Sequence, residues 1–259
     1  MAVPLITLTT DWGTADFYTG ALKGRLYSLV PGCTVVDISH QLDRSNNIQA
    51  AFVIRNCFHR FPKDAVHIVA VASTSNVVSK LMAVQYENHK FLGPDDGVFS
   101  LMFDEFPADA YHVLDHQGLK VDVKSDFLAA SAAYLAQGGD IALMGSRIET
   151  HSELSMLLPS VDDFSIRGSV IFVDGMGNLV TNISRALLDD VAKGRTFEIL
   201  VRKGFGTIEA VEEYYQAVDP GDWVAVFNES GYIELAIRDG SAKQLTGLQY
   251  GDMVRIEFK

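Results

Sequence analysis

The rhythm of the sequence changes once, and that change limits the fold more than any single residue does. From residue 1 to about 150, short strand-like stretches alternate with stretches of helical spacing. Leu5-Ile6-Thr7-Leu8-Thr9 predicts a strand, Ala15 to Val30 a helix stopped at Pro31-Gly32, and Thr34 to Ile38 a second strand. Asn47 to Phe61 predicts a helix ending before Pro62, and Val66 to Val71 an apolar strand buried on both faces. A hairpin-like pair, Leu81 to Tyr86 and Lys90 to Leu92, precedes a strand at Tyr111 to Leu114 and an Ala-rich helix at Ser125 to Gln137. Such alternation implies a mainly parallel sheet with helices on its faces. Beyond residue 168 the pattern becomes a run of short strands: Ser169–Asp174, Leu179–Thr181, Phe197–Val201, Thr207–Val211, Trp223–Phe227, Tyr232–Ile237 and Met253–Phe258. Only Ser184–Lys193 and Ala242–Leu245 read as helical there. The expectation is an α/β N-terminal domain over 1–155, a linker over 156–168 marked by Pro159, Asp162 and Asp163, and a smaller all-β, barrel-like domain over 169–259.

Composition narrows the partners. The net charge of −12 argues against nucleic acid, which calls for a basic face, but leaves room for a small cationic ligand. No apolar run reaches the length of a membrane span, and the start reads as a strand, not a signal peptide. Cys33 and Cys57 form no disulfide framework and no zinc spacing, so a cytoplasmic location is expected. The seven histidines show no metal-ligand spacing, so no metal is expected. His67 lies mid-strand and reads as a satisfied core or edge residue; His40, His59, His89, His112, His116 and His151 read as solvated.

Chemistry in α/β proteins gathers where strands end. Thr9-Thr10-Asp11-Trp12-Gly13-Thr14-Ala15-Asp16 follows the first strand, and a carboxylate there suits a ribose diol; Asp16 or Thr14 serves equally well as a helix cap. Gly93-Pro94-Asp95-Asp96-Gly97 reads as a turn. Asp174-Gly175-Met176-Gly177-Asn178 through Asn182 offers Asp174, Asn178 and Asn182 to the amino-acid end of a ligand, or makes an Asx-capped turn. Asn228 to Tyr232 and Arg238 to Ala242 flank one strand, the second able to present backbone groups to a flat base. Glycine-rich phosphate loops and nucleophile elbows are absent from the sequence.

In order and spacing these motifs resemble one family, the S-adenosyl-L-methionine (SAM) hydroxide adenosyltransferases, relatives of the fluorinating and chlorinating enzymes. The anchors are Thr9 to Gly13, Val36-Asp37-Ile38-Ser39-His40, Gly93 to Gly97, Asp174 to Asn182, and Asn228 to Ala242. The resemblance implies substitution at the ribose C5′ of SAM, releasing methionine and adenosine or a 5′-substituted adenosine, with no cofactor beyond SAM itself. It implies a homotrimer, its sites shared between one subunit's N-terminal domain and a neighbour's C-terminal domain. It places Asp11 on the ribose diol, Asp174 and Asn178 with help from Asp16 on the methionine part, and Ser230, Ser241 and Ala242 around the adenine. Trp12, Asp95 and Asp96 join the substrate-binding set, although the family usually carries Phe at Trp12 and Asn at Asp96.

One departure bears on catalysis. Hydrolytic members hold an Asp, an Arg and a His to activate water; the matching positions here are Ala72, Ser79 and Val123. Positioned general-base help is typically worth about 100- to 10,000-fold, and Ala and Val accept no proton. The halogenases also lack the triad, so hydroxyls of Ser73, Thr74, Ser75 or Ser125 are the remaining catalytic candidates. The alternative is a catalytically degenerate SAM or adenosine binder, for example a sensor, on the same scaffold.

Overall fold

The computed structural model describes residues 3–71, 80–103, 105–113, 124–201 and 206–259, with backbone alone at 124 and 125. Two compact units divide the chain, Met1–Ser155 and Met156–Lys259.

In the first unit the strands are β1 (Leu5–Thr10), β2 (Thr34–Ser39), β3 (Val66–Ala70), β4 (Leu81–Tyr86), β5 (His89–Pro94), β6 (Ala110–Val113) and β7 (Gly145–Arg147). They form a mixed sheet in the order β2-β1-β3-β5-β4-β6-β7. The β2-β1-β3-β5 half is parallel and the remainder antiparallel. The antiparallel half begins at the β4–β5 hairpin, where Glu87 and Asn88 both take positive φ (48° and 65°), as a two-residue turn matched to strand twist requires.

Side chains alternate across this sheet. Ile6, Leu8, Val66, Ile68, Ala83 and Leu92 face a core shared with α1 (Tyr18–Leu29) and α4 (Lys124–Ala136). Thr7, His67 and Phe91 point the other way, toward the segment that carries α2 (Asn47–Arg55) and the 3-10 turn Phe58–Arg60. The helix expected over 47–61 therefore breaks at Asn56 and resumes as that turn. A short helix not foreseen, α3 (Val98–Met102), packs on α2 and buries Phe99, Leu101 and Met102.

The second unit holds β8 (Ser160–Val161), β9 (Ser165–Val173), β10 (Leu179–Ser184), β11 (Phe197–Leu200), β12 (Thr207–Ile208), β13 (Trp223–Phe227), β14 (Tyr232–Ile237) and β15 (Met253–Phe258). The sheet is antiparallel throughout, in the order β12-β11-β15-β9-β10-β14-β13, with β8 on β9, and it nearly closes into a barrel. Its interior is Ile166, Val170, Leu179, Ile183, Ile199, Leu235, Val254 and Ile256. The helices are α5 (Arg185–Ala192), capped by Ser184 Oγ, and α6 (Ala242–Thr246), capped by Ser241 Oγ.

The stretch expected as a linker is instead part of the barrel: β8 lies within it and β9 begins at Ser165, with Ser165 and Ile166 fully buried. The polar run before Ser165 and the glycine at 168 hid the alternation. β9 pairs with β15 over Ser165–Ser169 and with β10 from Val170 onward, so it changes partner just after Gly168, between Ser169 and Val170. A Cβ at Gly168 would lie 2.5 Å from Ile183 Cγ1, and Asn182 Oδ1 accepts the Ser169 N–H at 2.8 Å there. Asn182 also donates to the Leu157 carbonyl at 2.7 Å. Both ends of its amide are thus engaged by backbone within this unit.

Candidate functional site

Four parallel strands of the first unit end along one edge. The chain leaves β1 by α1 for β2 on one side, then returns through α2 to β3 on the other. In sheets of this kind such a reversal, here at the carboxyl ends of β1 and β3, is the usual ligand position. Asp11 follows β1, His40 follows β2, and Asp95 and Asp96 follow β5. The exit of β3 runs into 72–79, so Ala72, Ser73, Thr74, Ser75 and Ser79 lie outside the described residues, as do Val123 and the Ser125 side chain.

Hydrogen bonds tie this edge together. Thr10 Oγ1 meets His40 Nδ1 at 2.8 Å, and His40 Nε2 stands 3.0 Å from Asp37 Oδ1. The Gly13 N–H donates to the His40 carbonyl at 2.7 Å. His40 is therefore buried, not solvated, because it staples the ends of β1 and β2. Asp11 Oδ2 accepts the Ser45 N–H at 2.9 Å, so the turn before α2 holds that carboxylate. Asn46 Oδ1 caps α2 by accepting the Gln49 N–H at 3.0 Å, and Asn47 Nδ2 donates to the Asp96 carbonyl at 3.0 Å. A polar row thus runs from Asp11 through Ser45 and Asn47 to Asp96.

The two neighbouring carboxylates differ sharply. Asp95 accepts the Ser152 N–H at 2.8 Å and lies 2.8 Å from His112 Nε2. Burial works to raise its pKa, but those donors win and hold it below the usual carboxylate range. Asp96 Oδ1 accepts the Val98 N–H at a long 3.4 Å and the Asn47 side chain also favours the ionised carboxylate, while Oδ2 is buried without a hydrogen-bond partner among the described residues. Burial, reinforced by the charge of Asp95, outweighs its few donors and pushes its pKa up to about 6. Among the described residues Ser45 Oγ and Asn47 Oδ1 are also buried without a hydrogen-bond partner.

Gly93 is less a turn residue than a point of close approach. A Cβ there would stand 2.6 Å from the Val69 carbonyl and 3.1 Å from the Phe99 ring. Trp12 is half-buried against the core shared with α1 and α4. Asp16 is exposed and accepts the Tyr18 N–H at 3.2 Å from one residue outside the N-cap, Phe17, which has no side-chain cap bond.

In the second unit Asp174 organises the β9–β10 turn. Its carboxylate accepts from the Met176 N–H (2.9 Å), the Asn178 N–H (2.8 Å) and Asn178 Nδ2 (3.0 Å). Gly177 has φ +86°, and a Cβ on it would run into Ser241 Oγ. Its carbonyl accepts the Lys243 N–H at 2.9 Å. Asp174, Asn178, Ser241 and Ala242 are therefore brought together. Ser230 is not: it sits in the β13–β14 turn, where Asn228 Oδ1 accepts its N–H at 3.0 Å. The six residues of β14 separate it from Ser241, about 20 Å of strand.

Sequence reasoning missed Ser45, Asn47, His112 and Ser152. The Ser45-Asn46-Asn47 run before a helix was a legible capping signal. His112 and Ser152 join Asp95 only through strand pairing and chain return, which leave no local mark. Among the described residues no group of three or more His, Cys, Asp and Glu is arranged to hold a metal ion. None of the described helices is long and apolar enough to cross a membrane.

The model of the SAM hydroxide adenosyltransferase N-terminal domain matches residues 6–145, and that of the C-terminal domain matches residues 168–255. The chain belongs to the SAM hydroxide adenosyltransferase family. It is 26% identical to the (R)-S-adenosyl-L-methionine hydrolase of Methanocaldococcus jannaschii, over 98% of this chain and 96% of that protein. It is 23% identical to the fluorinase of Actinopolyspora mzabensis, over 98% of this chain and 97% of that enzyme. Among solved structures, an uncharacterized conserved protein from Thermotoga maritima superposes with a TM-score of 0.85 at 25% identity, covering 97% of this chain and 99% of that one. The family's two halves thus span the mixed sheet with its polar strand-exit edge, and the near-barrel with its Asp174 turn.

Proposed function

We propose that this chain binds SAM and substitutes at its ribose C5′, releasing methionine and adenosine or a 5′-substituted adenosine. The observation that carries this reading is the family match along both units, together with an acidic strand-exit edge suited to a cationic ligand. In the reaction an incoming oxygen or halide forms a bond to C5′ while the C5′–S bond breaks. Its electron pair returns to sulfur, and methionine leaves as a neutral thioether. A water nucleophile finally gives up one proton. Because the sulfonium leaves without protonation, the protein's main work is to align and desolvate the nucleophile.

Asp11 is assigned to the ribose diol: the Ser45 N–H fixes Oδ2 in orientation, and a carboxylate oxygen keeps lone pairs for a further donor. Asp174 and Asn178, with Asp16, are assigned to the methionine part, and Ser241 and Ala242 to the adenine; Ser230, at the far end of β14, is left out of that assignment. Trp12, Asp95 and Asp96 complete the binding set. We place the protein in the cytoplasm as a homotrimer that uses no metal and no cofactor beyond SAM.

A second reading has a specific basis. Ala72, Ser79 and Val123 occupy the positions of the hydrolytic triad, which favours a SAM or adenosine binder without turnover. One experiment separates the two. Purified protein is incubated with SAM, with and without chloride or fluoride, and the nucleosides are separated. Adenosine or a 5′-halogenated adenosine, lost in Asp11→Ala, supports the enzyme. Binding of SAM in a calorimeter without any product supports the sensor. Neither product nor binding overturns both. Size determination in solution tests the trimer.

A further inference from the structure

The strand-exit edge contains one carboxylate whose environment is incomplete. Asp96 Oδ2 is buried without a hydrogen-bond partner, and Asp96 forms no ion pair with Lys or Arg among the described residues. Beside it, Asn47 Oδ1 and Ser45 Oγ are likewise buried without a partner among the described residues. Two of these three atoms can only accept once Asp96 is ionised, so the missing element is a donor or a positive charge. A buried, uncompensated carboxylate is costly, and it resolves that cost by taking up a proton or by gaining a cation.

We infer that Asp96 is the residue that distinguishes a cationic sulfonium ligand from a neutral nucleoside, giving up its proton when the sulfonium binds. This rests on the reading that SAM occupies the strand-exit edge. The charged and titratable groups around Asp96 point the same way. Asp95 precedes it and is itself paired with His112; Asp11 lies along the same polar row; α2 presents the uncharged Asn47, and α3 carries no titratable side chain. Beyond Asp95, the segment that returns to it brings His151 and Glu153, which face one another at 3.8 Å. With its pKa up at about 6, Asp96 is largely protonated at pH 5 and largely ionised at pH 7. A ligand that prefers the ionised form must then gain affinity across that window. Adenosine, without a charge at the sulfur position, exerts no such preference.

The test is calorimetry on the full chain with SAM and with adenosine, between pH 5 and pH 7. Each titration is run in two buffers of different ionisation enthalpy, so that proton release is read directly. The expected result for SAM is a five- to tenfold tightening, roughly the change in ionised fraction of such a group, with release of close to one proton at pH 5. Adenosine should show a flat affinity and no release. Asp96→Asn should abolish both the pH dependence and the release, and should weaken SAM more than adenosine. Proton release by the unaltered protein stands as evidence even if the variant fails to fold. Equal pH profiles for the two ligands, or an unchanged profile in Asp96→Asn, would overturn the inference while leaving SAM binding intact. No binding of either ligand would instead overturn the functional reading beneath it.

Discussion

The parallel strands of the first unit bury titratable groups toward both of their ends, and the two ends handle them differently. Toward the start of the strands, His67 Nδ1 meets Thr7 Oγ1 at 2.8 Å and its Nε2 meets His89 Nδ1 at 3.1 Å. Phe58, Phe61 and Phe91 close around the ring, with Phe91 stacked at 4.9 Å between centroids. Both imidazole nitrogens are engaged, and burial, aided by His89, drives the His67 pKa down to about 3. The expectation that His89 is solvated fails here because Phe58 and His67 enclose it. At the other end Asp96 and Asn47 each keep a buried oxygen that receives no donor from the described residues. A closed polar network stiffens a fold, whereas an open one has affinity to spare for a ligand.

Breaking the closed end should have the largest effect. Phe91→Ala removes a fully buried ring packed on His67, Phe58 and Phe103, and should cost about 3–5 kcal/mol in chemical denaturation. SAM affinity per folded molecule should hold; a loss of binding without a loss of stability would erase the distinction between the ends. The pH dependence of stability comes next. His67 binds protons more readily unfolded, near pH 6.5, than folded, near 3, so the folded state weakens as pH falls through that window. A melting temperature that drops from pH 6.5 toward 4, and drops less in His67→Gln, is the expected outcome.

Substitutions at the open end should spare the fold. Asp11→Ala should weaken SAM by about tenfold to a hundredfold, the worth of hydrogen bonds to a charged group, with the melting temperature nearly unchanged. The smallest effect is on Asp96. Its folded pKa lies above the unfolded value, so its contribution has the opposite sign to that of His67: stability falls as pH rises from about 4 to about 6. Asp96→Asn should therefore gain stability relative to the parent as pH rises through that range. Parallel curves for the two proteins would mean that Asp96 is better satisfied than its geometry indicates.

Much of this architecture was legible beforehand, and the reasons are local. β1, β2, β3 and the β4–β5 pair announce themselves by apolar runs bounded by turn residues, and α4 by its alanines and the Gly138-Gly139 stop. The misses share one cause. α3 is five residues long, too short for a period to show. β9 begins inside a stretch whose Asp162, Asp163 and Gly168 read as loop, and only pairing with β15 makes it a strand. Asp11, Asp95, Asp96 and Asp174 were visible as candidates because strand-exit motifs are contiguous, whereas the tie from Asp95 to His112 and Ser152 spans 17 and 57 residues.

By itself the sequence determined the two-part plan, the family and the acidic character of the strand exits, because periodicity and contiguous motifs are written along the chain. The tertiary structure alone decided which of two adjacent aspartates is satisfied. Asp95 and Asp96 are the same residue type, one peptide apart, in one turn. Donors arriving from β6 and from Ser152 complete the first, and among the described residues none reaches Oδ2 of the second. Burial and hydrogen-bond supply, which set a carboxylate's charge, are properties of the assembled neighbourhood and not of the residue.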